Sequence, residues 1–187
     1  MSITIDNYNS TNIMHWEHDD VSYEYKIDST GRAFAYMSGD YIFIEIYNEG
    51  CSSHRVISVK GENVIWYNAL GNVSIFTDSL VTLHFSGFRD LCLASPGYFI
   101  LTDTQLIKID NYGKEVSRIS PHSGYKFSRF FCSSPLSVIC EQITGTSDKY
   151  GRNDWKFEFD SLLLEWKLIS VVQSLEHIYM NFDFHFR

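Results

Sequence analysis

Short apolar runs alternate with polar, glycine-bearing stretches along most of this chain. Around Gly113, the segments GYFILTD (97–103), QLIKID (105–110) and KEVSRI (114–119) read as three short strands joined by two tight turns. RVISV, NVIWYN and NVSIF do the same around Gly71, and LSVICEQI, WKFEFD and LEWKLIS follow near the C-terminus. SYEYKID and RAFAYM flank Gly31, preceded by a weaker IMHW. The runs YIFIEIY (41–47), VTLHF (81–85) and YKFSRFF (125–131) each offer a further strand. The pattern predicts an all-β, antiparallel protein.

The turns share a signature. KIDSTGR (26–32) and KIDNYGK (108–114) repeat Lys-Ile-Asp, two variable residues, Gly and a base, and WYNALGN (66–72) stands midway with Asn68 for the Asp. A fourth copy aligns Asp160 with Asp110 and puts Leu163 in the glycine place, so the anchors fall at 31, 71, 113 and 163. A rival fourth anchor is Gly151. The long last step fits an inserted loop at Thr144 to Asp154. Each anchor reads as a hairpin in which Asp or Asn bonds nearby amides and Gly takes a backbone angle other residues resist. On this reading Asp28, Asp110 and Asp160 are turn residues. A four-stranded antiparallel unit repeating at about 40 residues resembles the blade of a β-propeller, with units at 13–37, 41–76, 80–119 and 125–170 in one domain, 1–187, and a closing tail at 174–187 that could complete the first unit. A β-sandwich of successive meanders is the alternative.

Composition supports strands: 16% of the residues are aromatic and only 3 are proline. No apolar run approaches the roughly 20 residues of a membrane span, and the opening MSITIDNYNST lacks the marks of a signal peptide, so a soluble cytoplasmic protein is expected. Cys51, Cys92, Cys132 and Cys140 show no Cys-x-x-Cys spacing and suit reduced thiols, with a Cys132 to Cys140 bridge as the rival.

The search for catalytic chemistry is negative. No nucleophile elbow, phosphate loop, dinucleotide fingerprint or zinc-protease helix is present, so no catalytic residue, metal or cofactor is assigned. HWEHDD (15–20) gathers two imidazoles and three carboxylates. In an extended strand, however, His15 and His18 point to opposite faces, and a solvated acidic loop is the better reading.

Charge says more. The net charge is −8, and residues 1–50 hold nine acids against Lys26 and Arg32, a local excess of −7. Such an acidic sector disfavours nucleic acid and suits a basic protein partner, with Glu17, Asp19, Asp20, Asp40 and Glu49 as candidate partner-binding residues. Tyr112, Tyr125, Tyr150 and Phe88 are candidate aromatic anchors for that interface. The profile of a small acidic domain with no catalytic motif, rich in Asn, Tyr, Ile, Ser and Asp, resembles the immunity proteins of interbacterial toxin systems. The resemblance implies a non-enzymatic module that neutralises a toxin domain, as a monomer or as a heterodimer with its partner. The alternative is a sugar-binding or glycan-active propeller using a central pocket.

Overall fold

A computed structural model describes residues 2–8, 11–29, 31–133, 135–143, 147, 153–160 and 165–172. The proposed fourth anchors Leu163 and Gly151, most of the inserted loop, Tyr150 and the tail 174–187 lie outside them. Seventeen antiparallel strands form four open sheets, and no helix is present among the described residues. Every strand pairs with its neighbour in the chain, so each sheet is an up-and-down meander, and neither a propeller-like arrangement nor a sandwich of meanders is at odds with these sheets. The chain divides into two compact units, Met1–His84 and Phe85–Arg187.

The first unit contains a three-stranded sheet of β1 (Thr4–Tyr8), β2 (Thr11–His18) and β3 (Val21–Ile27). It also contains a six-stranded sheet of β4 (Arg32–Ser38), β5 (Tyr41–Asn48), β6 (Cys51–Ser58), β7 (Asn63–Asn68), β8 (Asn72–Phe76) and β9 (Leu80–His84). Period-two alternation gives each sheet an apolar face. Met14, Trp16 and Ile27 of the small sheet pack with Ile42, Ile44, Ile46 and Ile57 of the large one. Burying each of these aliphatic side chains contributes about 2 kcal/mol. The Trp16 indole N–H donates to the Val59 carbonyl at 2.8 Å, and the buried Asn12 amide donates to the carbonyls of Ser29 and Gly31 at 3.0 and 2.9 Å, so both ends of the packed layer are fastened.

The buried side of the large sheet changes along its width. Register pairs Val56 with Ile65 and Ile65 with Ile75, on the side opposite Ile42, Ile44 and Ile46, yet Ile65, Val73 and Ile75 are all fully buried. The change falls at the β6–β7 irregularity between Val56 and Ile57, where two consecutive residues are both buried.

The second unit has two four-stranded meanders: β10 (Phe88–Leu93), β11 (Tyr98–Thr102), β12 (Leu106–Ile109) and β13 (Glu115–Ile119), then β14 (Tyr125–Ser133), β15 (Leu136–Gln142), β16 (Asp154–Asp160) and β17 (Glu165–Val171). Leu101, Leu106, Phe127, Phe130, Val138 and Phe157 form their shared core. The Trp166 indole donates to the Ser120 carbonyl at 2.8 Å, tying β17 to the connection ahead of β14. The four-stranded set at 125–171 follows the expected run of strands. The segment at 81–85 does not: β9 pairs with β8, and β10, unrecognised in sequence, supplies the fourth strand beside β11.

Two of the repeated signatures are the same turn. Asn68 Oδ1 accepts from the amides of Leu70 and Asn72 at 3.0 and 3.2 Å, and Asp110 Oδ1 accepts from those of Tyr112 and Lys114 at 2.9 Å each. Gly71 and Gly113 follow at φ 82° and 80°, the left-handed region where a side chain is strained. The first signature is different. Asp28 to Gly31 is not a hairpin but the crossing from the small sheet to the large one. Gly31 is needed there because a Cβ would lie against the Tyr47 carbonyl and the Asn48 side chain. Ser29, not Asp28, holds that crossing, its hydroxyl accepting from the Gly31 amide at 3.0 Å.

Candidate functional site

Four of the five acids singled out in sequence converge at one end of the first unit. Glu17 is exposed near the end of β2, where Ser22 across the hairpin donates to it at 3.5 Å. Asp19 and Asp20 make the two-residue β2–β3 turn at φ 51° and 59°, a conformation that short polar side chains tolerate. Asp40 occupies the β4–β5 turn, and its carbonyl accepts from the Val59 amide at 2.9 Å. Since Val59 also receives the Trp16 indole, the β2 end, the β4–β5 turn and the β6–β7 turn meet, adding Lys60 and Glu62 to the group. Glu49 stands in the β5–β6 turn at the far end of β5, separated from Asp40 by eight residues of strand, or about 25 Å.

HWEHDD is thus the end of an extended strand and its turn. His15 faces Asp6 at 3.6 Å and Glu24 at 3.9 Å on one side of the sheet, and His18 faces Asp19 at 3.3 Å. Among the described residues no three histidine, cysteine or acidic side chains are grouped to hold a metal. An open concavity of about 590 Å³ is lined by His15, Trp16, Glu17 and Tyr23, among others. Trp16 is itself buried, and the Tyr23 ring stacks on it at 5.3 Å, so one face of each ring is occupied.

Most aromatic candidates from sequence lie elsewhere and are engaged. Tyr125 packs against Phe157 at 4.9 Å and His122 at 5.7 Å, Phe88 is half-buried in β10, and Tyr112 stands well out, 69% exposed at the tip of the β12–β13 turn. The cysteines are free thiols. Cys132 pairs with Ser137 in the β14–β15 ladder and Cys140 with Phe127, several positions apart, so the two do not face each other. Burial pushes the Cys140 thiol up to about 12 and the Cys92 thiol well above its ordinary value, which leaves neither a nucleophile.

The surface that sequence reading missed is the outer face of β4, β5 and the adjoining part of β6 and β7. Phe34 and Tyr36 on β4 stand opposite Glu45 and Phe43 on β5, and Arg32 stands opposite Tyr47. Beyond them His54 lies opposite Glu45 on one side and Tyr67 on the other. Phe34 and Tyr47 are 56% and 46% exposed, and exposure falls towards β7. The rings are paired: Tyr36 stacks on Phe43 at 5.1 Å, His54 on Tyr67 at 4.8 Å, and Phe34 meets Tyr47 edge to face at 5.9 Å. The Tyr47 hydroxyl donates to Glu45 at 2.7 Å, which together with burial raises the Tyr47 pKa. Burial holds His54 below the ordinary imidazole value against the pull of Glu45, so at neutral pH it is uncharged. The signal was present in RAFAYMS and YIFIEIY, where aromatic residues alternate with Ala and Ile and so share one face.

Comparison with protein-family models, with curated proteins and with solved structures returned no match. Among the described residues no helix is long and apolar enough to cross a membrane.

Proposed function

We propose that this protein is a non-enzymatic binding module that captures one basic protein in the cytoplasm, in the manner of an immunity protein neutralising a toxin domain. The observation that carries this reading is the aromatic outer face of β4–β7. Monomeric surfaces rarely expose a contiguous group of large rings, and protein interfaces are enriched in them. Their arrangement favours a protein over a glycan. A sugar stacks on ring faces turned to water, whereas four of these rings spend one face on a neighbour and stand upright on the sheet. The acids at the turn end of the same unit supply a field that steers a basic partner towards it.

The test is functional. A toxin domain should co-purify with this protein from its source cell, and expression of that domain should be survived only by cells that also make this protein. Saturable binding or turnover of a glycan, with no such protection, would overturn the proposal.

A further inference from the structure

We propose that Glu45 is the receptor for an arginine side chain presented by the partner. The inference rests on the reading of the β4–β7 face as a protein interface and goes beyond it by naming the group recognised. Glu45 sits in the middle of that face. Its cross-strand neighbours are Phe34 and His54, and the outward residues before and after it on β5 are Phe43 and Tyr47, so aromatic rings flank it on four sides. The carboxylate is half-buried and, among the described residues, its one side-chain hydrogen bond comes from the Tyr47 hydroxyl at 2.7 Å. No lysine or arginine of the described residues forms an ion pair with it, and His54 is held neutral.

A carboxylate can accept about four hydrogen bonds, so most of this one's capacity is unused while water is partly excluded from it. A cation brought to it meets a negative charge in a less polar setting than open solvent, where the attraction is stronger. The shape of the surroundings selects which cation. A guanidinium is planar, donates two parallel hydrogen bonds to a carboxylate, is weakly hydrated and packs against aromatic rings such as Phe34 and Tyr47. An ammonium is a strongly hydrated point charge and gains less from the same walls. The −7 excess of residues 1–50 draws either cation to this unit, but the rings around Glu45 favour arginine.

The probe is the capped peptide acetyl-Gly-Arg-Gly-amide, titrated at neutral pH and low salt while protein NMR signals are followed, beside the same peptide carrying lysine or neutral citrulline. The arginine peptide should shift the signals of Phe34, Glu45, Tyr47 and His54 saturably. Lysine should bind several-fold more weakly and citrulline at least tenfold more weakly. Glu45→Gln should lose at least tenfold with its remaining spectrum unchanged. Tyr47→Phe, which keeps the ring and frees the carboxylate, should retain binding. Equal shifts by arginine and citrulline, undiminished binding to Glu45→Gln, loss of binding in Tyr47→Phe, or shifts confined to Asp19, Asp20 and Asp40 would each overturn the assignment. The two proposals fail separately: a captured toxin domain that binds Glu45→Gln as tightly as wild type removes the arginine receptor and leaves the module, whereas glycan binding without protection removes the module.

Discussion

The two units carry similar numbers of acids but treat them differently. Residues 1–84 hold eleven acids and four bases, residues 85–187 twelve and eleven. In the second unit the ion pairs join carboxylates to lysine or arginine: Arg89 with Asp103, Arg118 with Glu115 at 2.6 Å, Lys126 with Glu141 at 2.8 Å, Arg129 with Asp154 at 3.8 Å and Lys167 with Asp160 at 2.6 Å. Among the described residues of the first unit, three of the four pairs use histidine, and the fourth is Lys26 with Asp28 at 3.6 Å. Charge in the second unit is largely matched within the fold, while charge in the first is left facing outward. The aromatic face follows the same division, since Phe34, Tyr41 and Tyr47 remain substantially exposed while Phe127 and Phe157 are buried.

Charge reversal breaks this comparison most sharply. Lysine at Glu17 and Asp40, with asparagine at Asp19 and Asp20 to suit their positive φ, should slow association with a basic partner roughly 10- to 100-fold at low salt, with the effect shrinking as salt rises and the fold keeping its stability. Lysine at Glu141 and Asp154 should do the reverse. There the new cations face Lys126, Arg89 and Arg129, and after allowance for solvent screening the pair of substitutions should cost about 2 kcal/mol while association changes little. Stopped-flow association and urea unfolding separate the two outcomes. Equal effects on both observables in both units would remove the distinction.

Asp90 is an acid of the second unit that backbone amides hold between two sheets. The residue keeps some surface in water, but its two oxygens accept from the amides of Leu91 at 2.8 Å and Phe130 at 2.9 Å, joining β10 to β14. Burial raises its pKa to about 6 in spite of those bonds and of Arg129 nearby. The unfolded value is about 3.9, so between about pH 4 and pH 6 the native state holds a proton that the unfolded chain has released. The contribution of Asp90 to stability therefore falls as pH rises through that window and is level above it, a change of about 3 kcal/mol. His54 acts in the opposite sense: its folded pKa is lowered, so its contribution is present above about pH 6.5 and lost as pH falls through the folded value. Subtracting the pH profile of Asp90→Asn from that of wild type isolates the first term. A flat difference would show that Asp90 is not desolvated.

How much of this was legible in the sequence depends on whether the determinant was local. Strands such as GYFILTD and NVIWYN were readable because alternation and turn residues act within a few positions. The β1 segment TIDNY and the β10 segment FRDLCL were missed, being short and interrupted by acids that only tertiary placement explains; Asp90 is one of them. The membership of VTLHF in a sheet was not readable, since pairing with β8 or β11 depends on where the chain crosses between sheets. KIDSTGR and KIDNYGK show the same limit. Both need glycine, one for close approach to Tyr47 and one for a positive φ, and the letters do not separate those reasons. Glu17, Asp19, Asp20 and Asp40 were found because charge accumulates visibly, whereas the separation of Glu49 depends on strand direction. Glu45 was counted among the acids, but its aromatic setting emerges only from the register of three strands.

The smallest effects concern the turn that both units share. Ser58, Asn68 and Asp110 each accept from the amides two and four residues on: Ser58 Oγ from Lys60 and Glu62 at 3.3 and 3.2 Å, as Asn68 and Asp110 do through Oδ1. Gly61, Gly71 and Gly113 follow with positive φ in all three. Because Gly61 and Gly71 are only ten residues apart, the signature marks a type of hairpin wherever one occurs, and a spacing of about 40 is not what makes it recur. Alanine at Asn68 or Asp110 removes two bonds from the same geometry, but Asn68 is buried and Asp110 is partly exposed, so water can replace the lost acceptor at the second site and not at the first. Asn68→Ala should cost about 2 kcal/mol and Asp110→Ala about 1 kcal/mol, with Ser58→Ala near the lower figure because its hydroxyl bonds are longer. Urea midpoints of the three variants test the order. A larger loss at Asp110 than at Asn68 would mean that burial does not decide what this turn contributes in either unit.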